Sequence, residues 1–121
     1  DYHVLKEIPA NLDVTKFEAD AMNKRGLLKQ IPPRYRSTYF NHTMGGGYTA
    51  GYYSYIWAEV LDADAFEAFK ETGNIFNPEV SSKFRKHVLT PGAIDEAMDM
   101  YKTFRGKEPG TTPLLKNRGL M

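Results

Sequence analysis

A cluster of tyrosines, one histidine and three consecutive glycines is the part of this sequence best suited to chemistry. Six of the eight tyrosines lie between Tyr35 and Tyr55. A neutral phenol hydroxyl can donate a hydrogen bond to an oxygen that is gaining negative charge, without adding a fixed charge of its own. Glycines beside such donors allow the backbone to approach a peptide closely, or allow a loop to close over it. The candidate residues are His42, Gly45, Gly46, Gly47, Tyr48, Tyr52 and Tyr55.

Helical spacing predicts how these tyrosines are displayed. We expect a long helix over residues 50–70, on which Tyr52 and Tyr55 are three residues apart and therefore share one face. Tyr48 lies four residues before Tyr52, on the lead-in to the helix, and can approach the same side. Glu59 continues the same stripe one turn later. One side of the helix would therefore present two or three phenol hydroxyls.

The remaining sequence indicates helices joined by short connections. Asp13 is a good N-cap, and Asn77-Pro78 places an N-cap before a proline at the first helical position. We expect Tyr53 and Trp57 on the buried face of the long helix, and no strand, so the predicted fold class is all-α. The expected helices run from residue 14 to Gly26, from 34 to 43, from 50 to 70, from Pro78 to Gly92, from Asp95 to Gly106 and from Thr112 to Gly119.

Each feature of the aromatic cluster also has a purely structural interpretation, which composition alone favours. Tyrosines at helical spacing are more often core or boundary residues than catalytic groups, and a single histidine is more often structural. Consecutive glycines more often mark a mobile loop than a hinge. The aromatic residues with Arg34 and Arg36 could also stack on single-stranded nucleic acid. A net charge of only +1 argues against that use, because the chain has no broad basic field.

The sequence offers no recognisable metal or nucleophile motif. The three histidines, His3, His42 and His87, are too far apart to form the i, i+4 pair of a zinc-peptidase helix. There is no cysteine, so neither a thiolate ligand nor a disulfide is possible. The glycine run lacks the Gly-Lys-Ser/Thr ending of a phosphate-binding loop, and no Gly-x-Ser-x-Gly elbow is present. We therefore expect this chain to bind no metal.

Length and hydropathy set broad limits on the kind of protein. A chain of 121 residues with 41% hydrophobic residues suffices for one compact domain with a modest core. No apolar run approaches about 20 residues, which predicts that no segment spans a membrane. We expect a soluble protein whose compartment the sequence leaves open, with the cytoplasm favoured over the periplasm. We interpret residues 1–121 as a single helical region.

Two stretches of the sequence carry a family resemblance. The first is Ile31–Phe40 followed by His42, Gly45–Tyr48 and Gly51–Trp57. The second stretch is the tail, which comprises Phe84-Arg85, Phe104–Gly106, Pro109, Leu114-Leu115 and Arg118–Leu120. Together they resemble the thimet-oligopeptidase-like family of zinc metallopeptidases, and within it the bacterial peptidyl-dipeptidase branch.

The resemblance implies a compact helical fragment from the C-terminal region of a larger, zincin-like peptidase with a deep channel. In that family the zinc lies on a His-Glu-x-x-His helix upstream of the matched region. This chain would then lack the zinc ligands and the general base, and would be inactive alone. Its partners would be short peptide substrates and the upstream part of the same enzyme, with no nucleic acid and no membrane.

The resemblance also implies roles for individual residues. His42 and Tyr48 match a substrate-contacting histidine and the first tyrosine of the family motif, and Tyr52 matches a tyrosine that contacts bound peptide. Tyr55 matches the tyrosine thought to polarise the scissile carbonyl and to stabilise the oxyanion opposite zinc. The flexible loop that brings these groups to the substrate is matched by Gly45, Gly46 and Gly47.

Two questions stay open on the sequence alone. Release of dipeptides from the C-terminus is expected, but relatives in this family also include endo-acting oligopeptidases. The alternative from another class is a stand-alone helical module that binds peptides or other partners. A His-Glu-x-x-His helix in the upstream reading frame would favour the peptidase.

Overall fold

The computed structural model describes Glu7 and residues 9–121, and the described part is built from helices without strands. The described residues as far as Ser54 form one compact unit, and Tyr55–Met121 form a second. The all-α prediction is therefore confirmed. Residues 1–5, which the sequence predicts to be the end of a regular element, lie outside the described residues.

The helices are short, apart from one long helix at the start of the second unit. A 3₁₀ turn, Ser37–Tyr39, precedes α2, and a π-helical segment, Arg85–Leu89, continues α4. The α-helices of the described part are α1 (Val14–Lys24), α2 (Asn41–Met44), α3 (Ser54–Lys70), α4 (Pro78–Phe84), α5 (Ala97–Arg105) and α6 (Thr112–Asn117).

Local capping determines where several helices begin and end. The Asp13 carboxylate accepts a hydrogen bond from the Lys16 amide at 3.0 Å, which starts α1 as predicted. The Asn77 side chain accepts from the Glu79 amide at 2.9 Å and from the Val80 amide at 3.1 Å, which starts α4 with Pro78 at its first position. These starts were predictable because capping involves residues only two or three positions apart.

Three predicted helix boundaries are wrong. The helix expected over residues 34–43 is replaced by the 3₁₀ turn and α2, because Phe40 between them has a non-helical backbone with ψ of 72°. The long helix begins at Ser54 rather than at residue 50, since the chain turns at Gly51 and the Ser54 amide donates to the Gly51 carbonyl at 3.0 Å. Asp95 does not cap α5. Glu96 occupies the N-cap position and makes no side-chain cap hydrogen bond.

The first unit is held together by a buried carboxylate on α1. Glu18, only 4% exposed, accepts a short hydrogen bond from the Ser37 amide and lies 3.6 Å from the Arg36 guanidinium. Burial alone would raise the pKa of Glu18, but the hydrogen bonds from Ser37 and the Arg36 charge outweigh it, and the pKa is lowered. Helix α1 is thereby tied to the segment that leads into α2.

The second unit is organised by one face of α3 packed against α5. Val60, Asp64 and Ala68 are buried on α3, as are Tyr101 and Phe104 on α5. The Tyr101 hydroxyl donates to the Asp64 carboxylate at 2.5 Å, so a buried polar contact joins the two helices. Helix α3 is thus fixed at its centre.

Arg105 extends this contact to the end of α3. Its Nε donates to the Asp64 carbonyl at 3.1 Å and to the Asp64 carboxylate at 3.2 Å. Its two terminal nitrogens form a bidentate pair with Glu71, each at 2.7 Å. We name the four residues Asp64, Glu71, Tyr101 and Arg105 the polar clamp. The hydrogen bonds from Arg105 outweigh the cost of burial and lower the pKa of Glu71.

The predicted buried face of α3 is partly wrong. Tyr53 lies in the turn before the helix and is 58% exposed, and Trp57 is 42% exposed. The spacing of apolar residues correctly predicted an apolar side of α3. Within the described residues, however, nothing buries that side completely.

Candidate peptide-binding site

The structure brings three of the predicted site residues together in the first unit. The His42 ring stacks on the Tyr48 ring with centroids 5.6 Å apart and an interplanar angle of 24°. The Tyr52 ring meets His42 edge to face, with centroids 6.2 Å apart. His42 is exposed and Tyr48 is 38% exposed. We call His42, Tyr48 and Tyr52 the aromatic triad.

Two turns position the triad. Helix α2 carries His42, and the chain then reverses, with the Thr49 hydroxyl donating to the Thr43 carbonyl at 3.2 Å. The Gly51 amide donates to the Tyr48 carbonyl at 3.2 Å, which closes the turn between the two tyrosines. Tyr48 and Tyr52 are therefore both brought against His42 by backbone turns rather than by one helix.

The glycine run is needed because the chain passes close to α2. A Cβ built on Gly46 would lie 2.8 Å from the backbone oxygen of His42, which cannot move without distorting α2. A Cβ on Gly45 would overlap the Asn41 side-chain oxygen, which can rotate away. A Cβ on Gly47 meets nothing within 4 Å. The first two glycines thus allow a close packing contact, and the third has no such steric role.

An aromatic pocket adjoins the triad within the same unit. The Phe40 ring lies edge to face on Tyr52 at 4.9 Å and stacks on Tyr35 at 5.0 Å. The Arg34 guanidinium lies 5.1 Å from the centre of the Tyr35 ring. The pocket has a volume of about 260 Å³ and is lined by Met22, Pro33, Arg34, Tyr35, Phe40, Thr43 and Tyr52.

Phe40 is the site residue that sequence reasoning missed. It was expected within a helix and within the stretch that carries the family resemblance, but no role was assigned to it, and its ring connects the triad to the pocket. The available signal was the density of aromatic residues between Tyr35 and Tyr55, which already indicated that these rings would meet one another.

Tyr55 lies in the second unit, in the first turn of α3, and is 48% exposed. The prediction that Tyr52 and Tyr55 share a helix face is wrong, because Tyr52 lies in the turn before the helix. Glu59, one turn after Tyr55 on the same face, forms an ion pair with Arg118. This pair ties the Tyr55 side of α3 to the end of the chain.

No metal site is found among Glu7 and residues 9–121. This part of the chain contains no group of three or more histidine, cysteine, aspartate or glutamate side chains that could hold a metal ion. His3 lies outside the described residues. The described residues therefore do not fit a zinc centre. No helix in the same part of the chain is both long and apolar enough to cross a membrane.

Comparison with known proteins identifies the class to which this chain belongs. Residues 1–120 match Peptidase family M3, and the chain belongs to that family. The resemblance to thimet-oligopeptidase-like peptidases is thereby confirmed.

Individual relatives are also similar over most of the chain. It is 42% identical to dipeptidyl carboxypeptidase of Escherichia coli (strain K12) over 120 residues, which is 98% of this chain and 18% of the relative. It is 51% identical over 82 residues to oligopeptidase A of Haemophilus influenzae, which is 68% of this chain and 12% of the relative. The chain therefore spans less than a fifth of the length of these relatives.

Proposed function

We propose that this chain is the substrate-contacting, oxyanion-stabilising part of a zinc peptidyl-dipeptidase that hydrolyses short peptides. The observation that carries the proposal is the aromatic triad, in which the ring of an exposed histidine contacts two tyrosine rings beside a glycine turn. The similarity to a relative named dipeptidyl carboxypeptidase supports dipeptide release, and the similarity to oligopeptidase A supports a peptide substrate in either case.

The triad has the chemical means to bind a peptide. Imidazole and phenol groups can donate hydrogen bonds to peptide carbonyl oxygens, and the rings offer flat apolar surface to the substrate side chains. The chain at Gly46 passes close to the His42 backbone, and Gly45–Gly47 carry no side chain there. We therefore assign His42, Tyr48 and Tyr52 to substrate contact, with the loop Gly45–Gly47 as their support.

Tyr55 is assigned to the reacting carbonyl. When water attacks a peptide carbonyl, its oxygen becomes an oxyanion, and a phenol donor aimed at that oxygen stabilises the transition state more than the ground state. Tyr55 is half exposed in the first turn of α3, and the polar clamp fixes the centre of that helix against α5. The zinc would be held by the part of the parent enzyme that lies outside this chain.

The experiment is substitution of Tyr55 in the full-length enzyme. Tyr55→Phe removes one hydroxyl, and turnover is expected to fall about a hundredfold or more, with little change in KM. Tyr53→Phe is the matched control, because Tyr53 is an exposed tyrosine two positions away that we assign no role.

The two variants decide the assignment. If both variants turn over peptide as fast as the parent, Tyr55 is only a packing residue. If Tyr53→Phe loses as much turnover as Tyr55→Phe, the effect arises from the helix start and not from one donor. The isolated chain is expected to hydrolyse no peptide, which a chromatographic assay for released dipeptides would check.

A further inference from the structure

The second unit contains an open apolar groove with no role in the proposed chemistry. We propose that this groove is the docking face for the remaining part of the same peptidase, an assignment that rests on the proposed function. The groove has a volume of about 580 Å³. We name it the Trp57 groove, and its apolar lining includes Trp57, Leu61, Ala65, Phe84, Val88 and Met98.

The composition of the groove is unusual for a surface that faces water. The lone tryptophan of the chain lines it and is 42% exposed. Its charged lining residues are Asp62 and Glu96, both acidic. Contiguous apolar surface with a charged edge marks an interaction site more often than a free surface. The lining favours a partner segment with an apolar face flanked by lysine or arginine.

Helix geometry separates this groove from the proposed catalytic side of α3. Trp57 follows Tyr55 by two residues, so the two side chains leave the helix about 200° apart. Leu61 and Ala65 follow Trp57 at intervals of four and continue its stripe. Glu59 instead continues the stripe of Tyr55. A peptide in contact with the Tyr55 hydroxyl would therefore be on the opposite side of α3 from the groove.

The length of the relatives indicates what covers the groove. The dipeptidyl carboxypeptidase relative matches 98% of this chain with only 18% of its own length. Most of the relative's chain therefore lies outside the matched region. The apolar stripe of a helix is normally covered by a neighbouring element of the same protein. We assign the Trp57 groove to that contact, and not to a substrate or to a second copy of this chain.

The test uses fluorescent labels at two introduced cysteines, because the natural chain has none. Ala65→Cys places an environment-sensitive dye in the groove. Ser82→Cys places the same dye at an exposed position of α4 outside the lining. The remainder of the parent enzyme, produced as a separate polypeptide, is titrated into each labelled chain. We expect a blue shift and protection from iodide quenching at position 65, and neither at position 82.

A substitution in the groove gives a second measurement. Leu61→Asp places a charge in the lining and is expected to weaken association about tenfold or more, with Asp62→Ala on the acidic rim as the milder comparison. Far-UV circular dichroism would show that each variant keeps its helices. If Leu61→Asp does not fold, the two dye positions still decide the question.

Other occupants give different results. A response at position 65 to unlabelled chain alone would assign the groove to a second copy, and a response to an alanine pentapeptide would assign it to substrate. Either result would overturn the proposal, as would absence of any association between folded polypeptides. If the mixture hydrolyses peptide but position 65 does not respond, the docking face is wrong and the proposed function stands. If position 65 responds but Tyr55→Phe leaves activity unchanged, the docking face stands and the proposed function of Tyr55 is wrong.

Discussion

The aromatic triad and the polar clamp use similar residue types in opposite ways. In the first unit, the His42 ring contacts the rings of Tyr48 and Tyr52, and His42 and Tyr48 are exposed. In the second unit, the Tyr101 ring is buried and its hydroxyl is committed to Asp64. Burial and the nearby Asp64 carboxylate raise the pKa of Tyr101, so it stays a neutral donor. Burial therefore separates a tyrosine that can contact a ligand from one that stabilises the fold.

Loss of Asp64 should have the largest effect on stability. Asp64→Ala leaves the Tyr101 hydroxyl and the Arg105 Nε–H without their carboxylate, although Arg105 keeps Glu71. Removal of one partner from a buried charged contact costs about 3 kcal/mol or more. The measurement is urea unfolding followed by emission of Trp57, the lone tryptophan, which reports on the second unit.

A neighbouring carboxylate provides the control for this loss. Asp62 is exposed on the same helix, and Asp62→Ala is expected to change the free energy of unfolding by less than about 0.5 kcal/mol. If both variants lost the same free energy of unfolding, Asp64 would stabilise the protein no more than an exposed carboxylate does.

The glycine turn should show the next largest effect. Gly46→Ala forces a Cβ against the His42 backbone oxygen and is expected to cost about 2 kcal/mol, because overpacking against backbone shifts the whole turn. Gly47→Ala meets open space and does not have a positive φ, so it should be neutral or slightly stabilising. Circular dichroism during urea unfolding would measure both variants. If Gly46→Ala were as stable as the parent, the turn would have room for a Cβ that the contact distance does not indicate.

Glu18 predicts a pH dependence for the first unit. Its pKa is lowered in the folded state, so its stabilising effect is complete above the unfolded value and is lost as the pH falls through the folded value. Glu18→Gln should therefore destabilise by about 1.5 kcal/mol at neutral pH, and the difference from the parent should shrink below about pH 4. Exchange of the Ser37 amide, followed by NMR, measures the contact directly.

A second carboxylate on α1 serves as the reference for Glu18. Asp20 is exposed and pairs with Lys16 across one helical turn. Asp20→Asn should leave Ser37 exchange unchanged at every pH. A pH profile for Glu18→Gln parallel to that of the parent would show that the acid dependence comes from other groups.

Much of the fold could be predicted because its signals are local. Asp13 and Asn77 cap their helices through contacts two or three residues away, and their identity determines the helix start. The polar clamp could not be predicted, since Tyr101 and Asp64 are 37 positions apart and no motif links them. Glu18 was missed for the same reason. Its partner Ser37 lies 19 positions away.

The sequence predicted which residues meet in the aromatic triad better than it predicted how they are arranged. His42, Tyr48 and Tyr52 were named from their residue types and the family resemblance, and the structure brings them together. Their arrangement was misjudged, because helical spacing was assumed where the chain makes two turns before Ser54. Trp57 was misjudged because a hydrophobic stripe indicates that something covers it, without indicating which part of the protein does so.

The smallest effect on stability should come from the centre of the triad. His42 is exposed, and its ring contacts in water contribute little to folding, so His42→Ala should change the free energy of unfolding by at most about 0.5 kcal/mol. In the full-length enzyme the same substitution should raise KM for peptides, because the proposed substrate contact is lost while the fold is kept. His42→Gln, which keeps a side-chain donor, should recover part of the affinity. If His42→Ala lost stability without losing peptide affinity, His42 would have a structural role and not a role in peptide binding. The triad would then resemble the polar clamp, and the contrast between the two would be wrong.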